Sequence, residues 1–215
     1  MADLQPLFST PGAYNIVIDA GGTLWLGGNG LYEWDGALLL THNQSNSTLP
    51  TDEIHGVAVD QQDTKWVGLG LRDGSPTGIM KISAAGWQYT RYSDIPALAS
   101  TSYVSVECVD KDNNVWVSSF ENPSGILRYD GVEWIFERTG RILCDNHGTA
   151  WSIHEDWGSD FPSTLDVAST LDYFDQGQWR SVDVSGLTRR ILSLVKYQDT
   201  LVLGTVKGLA FVDDV

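Results

Sequence analysis

With 215 residues the chain is long enough to bury a sizeable core and is of ordinary size for one all-β domain. Its 22 glycines and 9 tryptophans, beside only 19% charged residues, favour short strands joined by tight turns over amphipathic helices. A formal net charge of −15 opposes a phosphate backbone and an anionic membrane surface, so neither nucleic acid nor membrane is an expected partner, whereas a cation or a basic partner is compatible with it.

The opening MADLQPLFSTPG has neither a positive n-region nor an apolar h-region, and no apolar run approaches about 18 residues, so a soluble chain without a visible export signal is expected. Leu7 to Thr10 is a short extended candidate ended by Pro11 and Gly12. Four strands follow at Tyr14 to Asp19, Thr23 to Gly27, Gly30 to Trp34 and Ala37 to Thr41, with Gly or Asp-Gly at the turns. A second set is expected at Ile54 to Asp60, Lys65 to Gly68, Gly78 to Ile82 and Trp87 to Tyr92, and a third at Tyr103 to Asp110, Val115 to Ser118, Ile126 to Tyr129 and Trp134 to Glu137. The fourth uses Arg141 to Asp145, Ala150 to Ile153, Thr170 to Phe174 and Trp179 to Asp183. The fifth, Ile191 to Val195, Leu201 to Gly204 and Gly208 to Val212, is one strand short.

These sets share a frame. Asp19, Asp60, Asp110 and Asp145 each precede a tryptophan by six residues, at Trp25, Trp66, Trp116 and Trp151, and Gln198 to Thr205 is a worn copy with Val202 in the tryptophan's place. Five units in 215 residues average 43, inside the range of about 40 to 45 for a four-stranded propeller blade. The expected architecture is a single all-β domain, a five-bladed β-propeller of four-stranded antiparallel blades (about 14–41, 54–92, 103–137, 141–183, and 191–212 plus 7–10), closed by the N-terminal strand completing the last blade. The aspartates are expected to hold the first hairpin of each blade through side-chain to backbone hydrogen bonds.

An aspartate, a turn and LWLG, followed by GLYEWDG, resembles the two-component regulator propeller repeat of hybrid histidine kinase sensor regions. NSTLPTDEIHGVAVD at Asn46 to Asp60, GILRYDG at Gly125 to Gly131 and VSGLTRRILSL at Val184 to Leu194 are similar to the same repeat. The resemblance covers about nine-tenths of the chain and implies the propeller fold, here as a stand-alone propeller, without carrying over a signalling role. Streptogramin lyases are similar in their repeats, but their catalytic histidines have no counterpart pair here.

The spacings between signature positions are 41, 50, 35 and 51, and the extra residues fall between second and third strands or between blades. Those connections open on one face, which is the candidate for function. The starts of the innermost strands, with Tyr14, His55, Tyr103, Arg141 and Arg190, are expected at the mouth of a central channel, where the arginines suit a carboxylate or phosphate. Glu121, His154, Asp156 and Trp157 lie on connections of the same face, and the insertion HEDWGSDFPSTLDVAS sets aromatics beside carboxylates, as sugar binding needs. A non-enzymatic module for a small ligand or glycan is the expected function. The alternatives are a lyase or hydrolase using carboxylates on that face, or a protein-interaction platform that needs no pocket. A monomer without cofactor or metal is expected, and no catalytic residue is nominated. Asp110, Asp112 and Asn114 superficially suggest a calcium loop, but Val115 stands where such a loop needs glycine. Cys108 and Cys144 fall in neighbouring apolar runs, within reach of each other, and read as buried free thiols rather than as a disulfide scaffold.

Overall fold

The structure, a computed structural model, describes residues 13–70, 77–101, 103–120, 124–155, 169–184, 186–187 and 190–213, leaving aside the side chains of residues 13, 14, 155 and 169. Every sheet is antiparallel. Sheet 1 joins β1 (Ala13–Ile18), β2 (Leu24–Gly28), β3 (Gly30–Trp34) and β4 (Leu39–His42) in chain order. Sheet 2 joins β5 (Ile54–Val59), β6 (Lys65–Leu69), β7 (Gly78–Ser83) and β8 (Gly86–Arg91), followed by two 3-10 turns, Tyr92–Asp94 and Pro96–Leu98, that the sequence pattern did not suggest. Sheet 3 is β9 (Val104–Val109), β10 (Val115–Ser119), β11 (Gly125–Tyr129) and β12 (Trp134–Arg138), and sheet 4 is β13 (Arg141–Cys144), β14 (Ala150–Glu155), β15 (Ser169–Asp175) and β16 (Gln178–Val182). Sheet 5 has three described strands, β17 (Ile191–Tyr197), β18 (Thr200–Thr205) and β19 (Gly208–Asp213). The candidate strand at Leu7 to Thr10 lies outside the described residues.

The chain divides into two compact units, Met1–Ile95 with Ser102–Val106, and Pro96–Thr101 with Glu107–Val215. In the first, Trp25 and Leu31 on one face of sheet 1 pack against Ile54, Val57, Val67, Leu69, Met80 and Ile82 of sheet 2. In the second, Trp116 and Ile126 of sheet 3 meet Ile142, Ala150 and Phe174 of sheet 4, and Trp151, Ile153 and Leu171 of sheet 4 meet Ile191, Leu201 and Leu203 of sheet 5. All five residues of β6 and of β10 are buried, whereas β18 alternates half-buried and buried residues.

The six-residue frame has a direct physical cause. In each of four hairpins one carboxylate oxygen accepts backbone N–H bonds from the residues two and four positions on, at 2.8–3.0 Å. The other oxygen accepts the indole N–H of the tryptophan six positions on, at 2.9 Å for Trp25 and Trp66, 2.8 Å for Trp116 and 3.0 Å for Trp151. The residue three positions after the aspartate is left-handed in all four turns, with φ of 84° at Gly22, 62° at Asp63, 66° at Asn113 and 76° at Gly148, which explains why only Gly, Asp and Asn stand there. Burying one such indole removes about 150–250 Å² from water, worth roughly 4–6 kcal/mol at about 25 cal/mol per Å². Burial thus supplies most of the free energy. The carboxylate removes the penalty of a buried, unbonded indole N–H and fixes the ring's orientation.

Neighbouring hairpins are tied at the same end. Ala20 N–H donates to Asp63 Oδ1 at 3.0 Å, Lys111 N–H to the Gly148 carbonyl at 2.8 Å, and Lys196 N–H to Asn146 Oδ1 at 2.8 Å. The expectation of free thiols is corrected: Cys108 on β9 and Cys144 on β13 form a disulfide, with a Cα–Cα distance of 6.0 Å. The cause is the packing of sheet 3 on sheet 4, which sets the two side chains in the same core layer as Trp116 and Ile142, at a spacing a disulfide spans readily.

Candidate functional site

The two ends of each sheet differ in what their polar groups have left to offer. At the Asp–Trp end the carboxylates are consumed by the turn. Asp19 additionally meets Lys65, whose Nζ lies 2.9 Å from Asp19 Oδ2 and 3.0 Å from Asp63 Oδ2 while sitting over the Trp25 ring at 5.3 Å. Burial pushes the Asp19 carboxyl up, but bonds from Lys65, Trp25 and Thr23 and the lysine's charge outweigh it and hold the pKa at about 2. Burial likewise works against charge on Lys65, and its two carboxylate partners more than offset it, raising the ammonium's pKa. Asp110, the head of the suspected calcium loop, accepts the Trp116 indole N–H at Oδ2 and the Asn114 amide N–H groups at both oxygens. Such aspartates are structural.

At the opposite end, the sequence-nominated residues are placed as follows. His55 on β5 and Tyr103, just before β9, meet edge to face with ring centroids 4.5 Å apart. Glycines make that contact possible: a Cβ at Gly70 would fall 1.8 Å from the imidazole, and one at Gly56, whose φ is +104°, would fall 2.1 Å from the Val106 carbonyl oxygen. Tyr92, fully buried, donates its hydroxyl towards the carbonyls of Leu69 at 3.1 Å and Val104 at 3.4 Å, tying the end of β6 to the start of β9 beside Tyr103. Its burial pushes the phenol pKa far up, so it acts as a neutral donor.

In the second unit Arg141 heads β13 and donates an Nη2–H to the Ile191 carbonyl at the head of β17. The Arg190 carbonyl accepts the Val206 N–H at 3.2 Å. His154 on β14 is exposed and pairs in register with Thr170. Tyr14 opens β1 with its side chain outside the description, and Glu121, Asp156 and Trp157 lie outside the described residues. The structure therefore brings His55 to Tyr103 in the first unit and, within the second, ties Arg141 to the head of β17. Among the described residues no group of three or more His, Cys, Asp or Glu side chains is disposed to hold a metal ion, and no helix is long and apolar enough to cross a membrane.

Sequence reasoning passed over a second polar cluster. His42 at the end of β4 stacks on Trp25 with centroids 6.2 Å apart, meets Trp87 of β8 edge-on at 5.2 Å, and bonds Glu33 Oε2 through Nε2 at 2.9 Å. The sequence signal was Glu33 and His42 on adjacent strands, yet nothing in the pattern set Trp87 beside them.

No protein-family model and no curated protein matches the chain. Solved structures define the class of fold. The extracellular domain of a hybrid two-component system from B. thetaiotaomicron is similar over 94% of this chain, with a TM-score of 0.63 and 16% identity. PorZ, a bacterial surface component of the type-IX secretion system of Porphyromonas gingivalis, is similar over 94%, with a TM-score of 0.63 and 14% identity. A catalytically inactive virginiamycin B lyase from Staphylococcus aureus with quinupristin is similar over 95%, with a TM-score of 0.57 and 11% identity. The chain spans 27%, 32% and 68% of those three chains, respectively. At these identities the likeness shows an all-β, propeller-like fold.

Proposed function

We propose that the chain is a single five-bladed propeller serving as a non-enzymatic binding module, which takes a small ligand or glycan at the end of the sheets away from the Asp–Trp turns. The observation that carries this reading is the His55–Tyr103 pair, held in place by Gly56, Gly70 and the buried Tyr92 hydroxyl. Rings fixed by packing present a preorganised surface, so little ordering entropy is lost on binding. Tyr14, Arg141 and Arg190 would join them at a channel mouth, with Glu121, His154, Asp156 and Trp157 around it. The extracellular sensor domain among the similar structures supports a ligand-sensing role, and the Cys108–Cys144 disulfide suits work in an oxidising compartment.

Closure belongs to the same reading. Sheet 5 lacks a fourth described strand beside β19, and a cleft of about 380 Å³ runs there, lined by Val184, Leu187, Leu203, Ala210, Phe211 and Val212 among others. Leu7 to Thr10 would add as the missing strand, satisfying an open edge that would otherwise pair with other chains, and the closed protein would be a monomer. One observation favours a protein partner instead: Tyr197, Leu209 and Phe211 of sheet 5 are 65–67% exposed.

A thermal-shift screen against sugars, sugar acids, nucleotides and divalent metals tests the binding reading. A ligand at about 100 times its Kd should add roughly 2.7 kcal/mol to the folded state. The reading expects a hit abolished by Tyr103→Ala or Arg141→Ala. A screen in which no hit depends on Tyr103 or Arg141, or a hit turned over into product, would overturn it.

A further inference from the structure

The protein contains an internal control for the His42 cluster. The fourth strands of sheets 2 and 4 carry tryptophans at equivalent places, Trp87 paired with Ile82 and Trp179 paired with Phe174. Each packs beside the fourth strand of the preceding sheet, and the two junctions end differently. In the second unit Arg138 lies over the Trp179 ring at 5.2 Å, and the indole N–H donates to Glu137 Oε2 at 3.2 Å. Glu137 is available because β11 and β12 shift register between Ile126 and Leu127, which leaves it as the extra residue of a bulge.

In the first unit β3 and β4 keep unbroken register from Leu31 and His42 to Trp34 and Leu39, so no residue is spare. His42 occupies the place of Arg138 beside the indole, but among the described residues nothing accepts the Trp87 Nε1–H. A cleft of about 390 Å³ opens there instead, lined by His42, Asn46, Ser47, Thr48 and Trp87, within the usual range for small-ligand pockets. Its loop wall is preformed: the Asn46 side chain bonds Asn43 N–H at 2.8 Å and the Thr41 carbonyl at 2.7 Å, and Ser47 Oγ–H donates to the Asn43 carbonyl at 2.6 Å. Thr48 adds a hydroxyl that no described residue engages.

We propose that this cleft is a binding site for a small carboxylate, whose carboxylate group takes the position that Glu137 fills in the other junction. It would accept the Trp87 Nε1–H and the Thr48 hydroxyl, since both residues line the cleft. Glu33 Oε2 is engaged by His42 Nε2 at 2.9 Å rather than being turned to the Trp87 indole. The site lies at the outer strands of the first unit and stands independently of the reading given above for His55 and Tyr103.

The test is an NMR titration of the isotope-labelled chain with glucuronate, acetate and glucose at fixed pH and ionic strength. The reporter is the Trp87 indole N–H cross-peak, assigned by its absence in Trp87→Phe. Glucuronate should shift that peak saturably and glucose should not, since the two differ in the carboxylate. Thr48→Ala, an exposed change with no described partner to lose, should weaken binding about two- to tenfold, and His55→Ala should leave it unchanged. An equal response to glucose, no saturable shift with either carboxylate, or wild-type binding in both Thr48→Ala and His42→Gln would overturn the proposal. A response lost in His55→Ala yet kept in Thr48→Ala would overturn the cleft and leave the loop-end site standing.

Discussion

Changing Asp145 to Asn isolates the bond between carboxylate and indole from the hairpin it belongs to. Asp145 accepts the His147 and Thr149 N–H groups at 2.8 and 2.9 Å with Oδ1 and the Trp151 indole N–H at 3.0 Å with Oδ2. The carboxylate is buried, and Trp151 is 1% exposed, so water cannot replace a lost partner. Asparagine keeps an oxygen for the two backbone donors but turns an NH2 group against the indole N–H. Two buried donors then face each other, at about 1–3 kcal/mol each, so a loss of about 2–6 kcal/mol is expected. Urea denaturation should show the midpoint falling with the slope unchanged. Trp151→Phe removes the indole donor, and in the double variant the donor conflict disappears. The two losses should therefore fail to add by about 1–2 kcal/mol in a double-mutant cycle. A loss under about 0.5 kcal/mol for Asp145→Asn, or simple additivity, would refute the idea that this bond sets the six-residue spacing.

Reducing the disulfide, or replacing both cysteines by Ser, frees a loop with a sequence separation of 36. The expected loss is about 3–4 kcal/mol on the chain-entropy account, and a melting temperature insensitive to reductant would count against it. Acid should unfold the protein partly through Asp19: its folded pKa of about 2 lies below the ordinary 3.8, so its contribution is present above the latter and lost as pH falls towards the former. Asp19→Asn should flatten that limb of the melting curve, and an unaltered acid limb would refute the assignment. Lys65, raised above its ordinary 10.5, carries the opposite sign, contributing at lower pH and ceasing to do so as pH rises through its folded pKa, which Lys65→Met should abolish. Deleting residues 1–10 should lower the melting temperature and promote association, whereas an unchanged, monodisperse product would sink the closing strand.

The strands were legible because their signals are local. Alternation and Asp-Gly or Gly turns mark each hairpin, and the described elements fall within two residues of the expected ones at nearly every end. The Asp–Trp frame was visible as a spacing, but only coordinates show that Oδ2 takes the indole, since a six-residue interval does not reveal which atoms it brings together. The aspartates' structural role was still the right inference from the turn chemistry alone.

What the sequence alone determined is the all-β class, the five sets of strands and the structural use of their aspartates, all consequences of contacts within about ten residues along the chain. The tertiary structure decided the rest. The disulfide depends on how sheet 3 lies on sheet 4, the His55–Tyr103 pair joins residues 48 apart, and Trp87 meets no counterpart of Glu137 because β3 and β4 lack the bulge present in sheet 3. Each rests on register and face-to-face packing between strands distant in sequence, and residue pattern does not encode which side chain, out of many suitable ones, will be opposite.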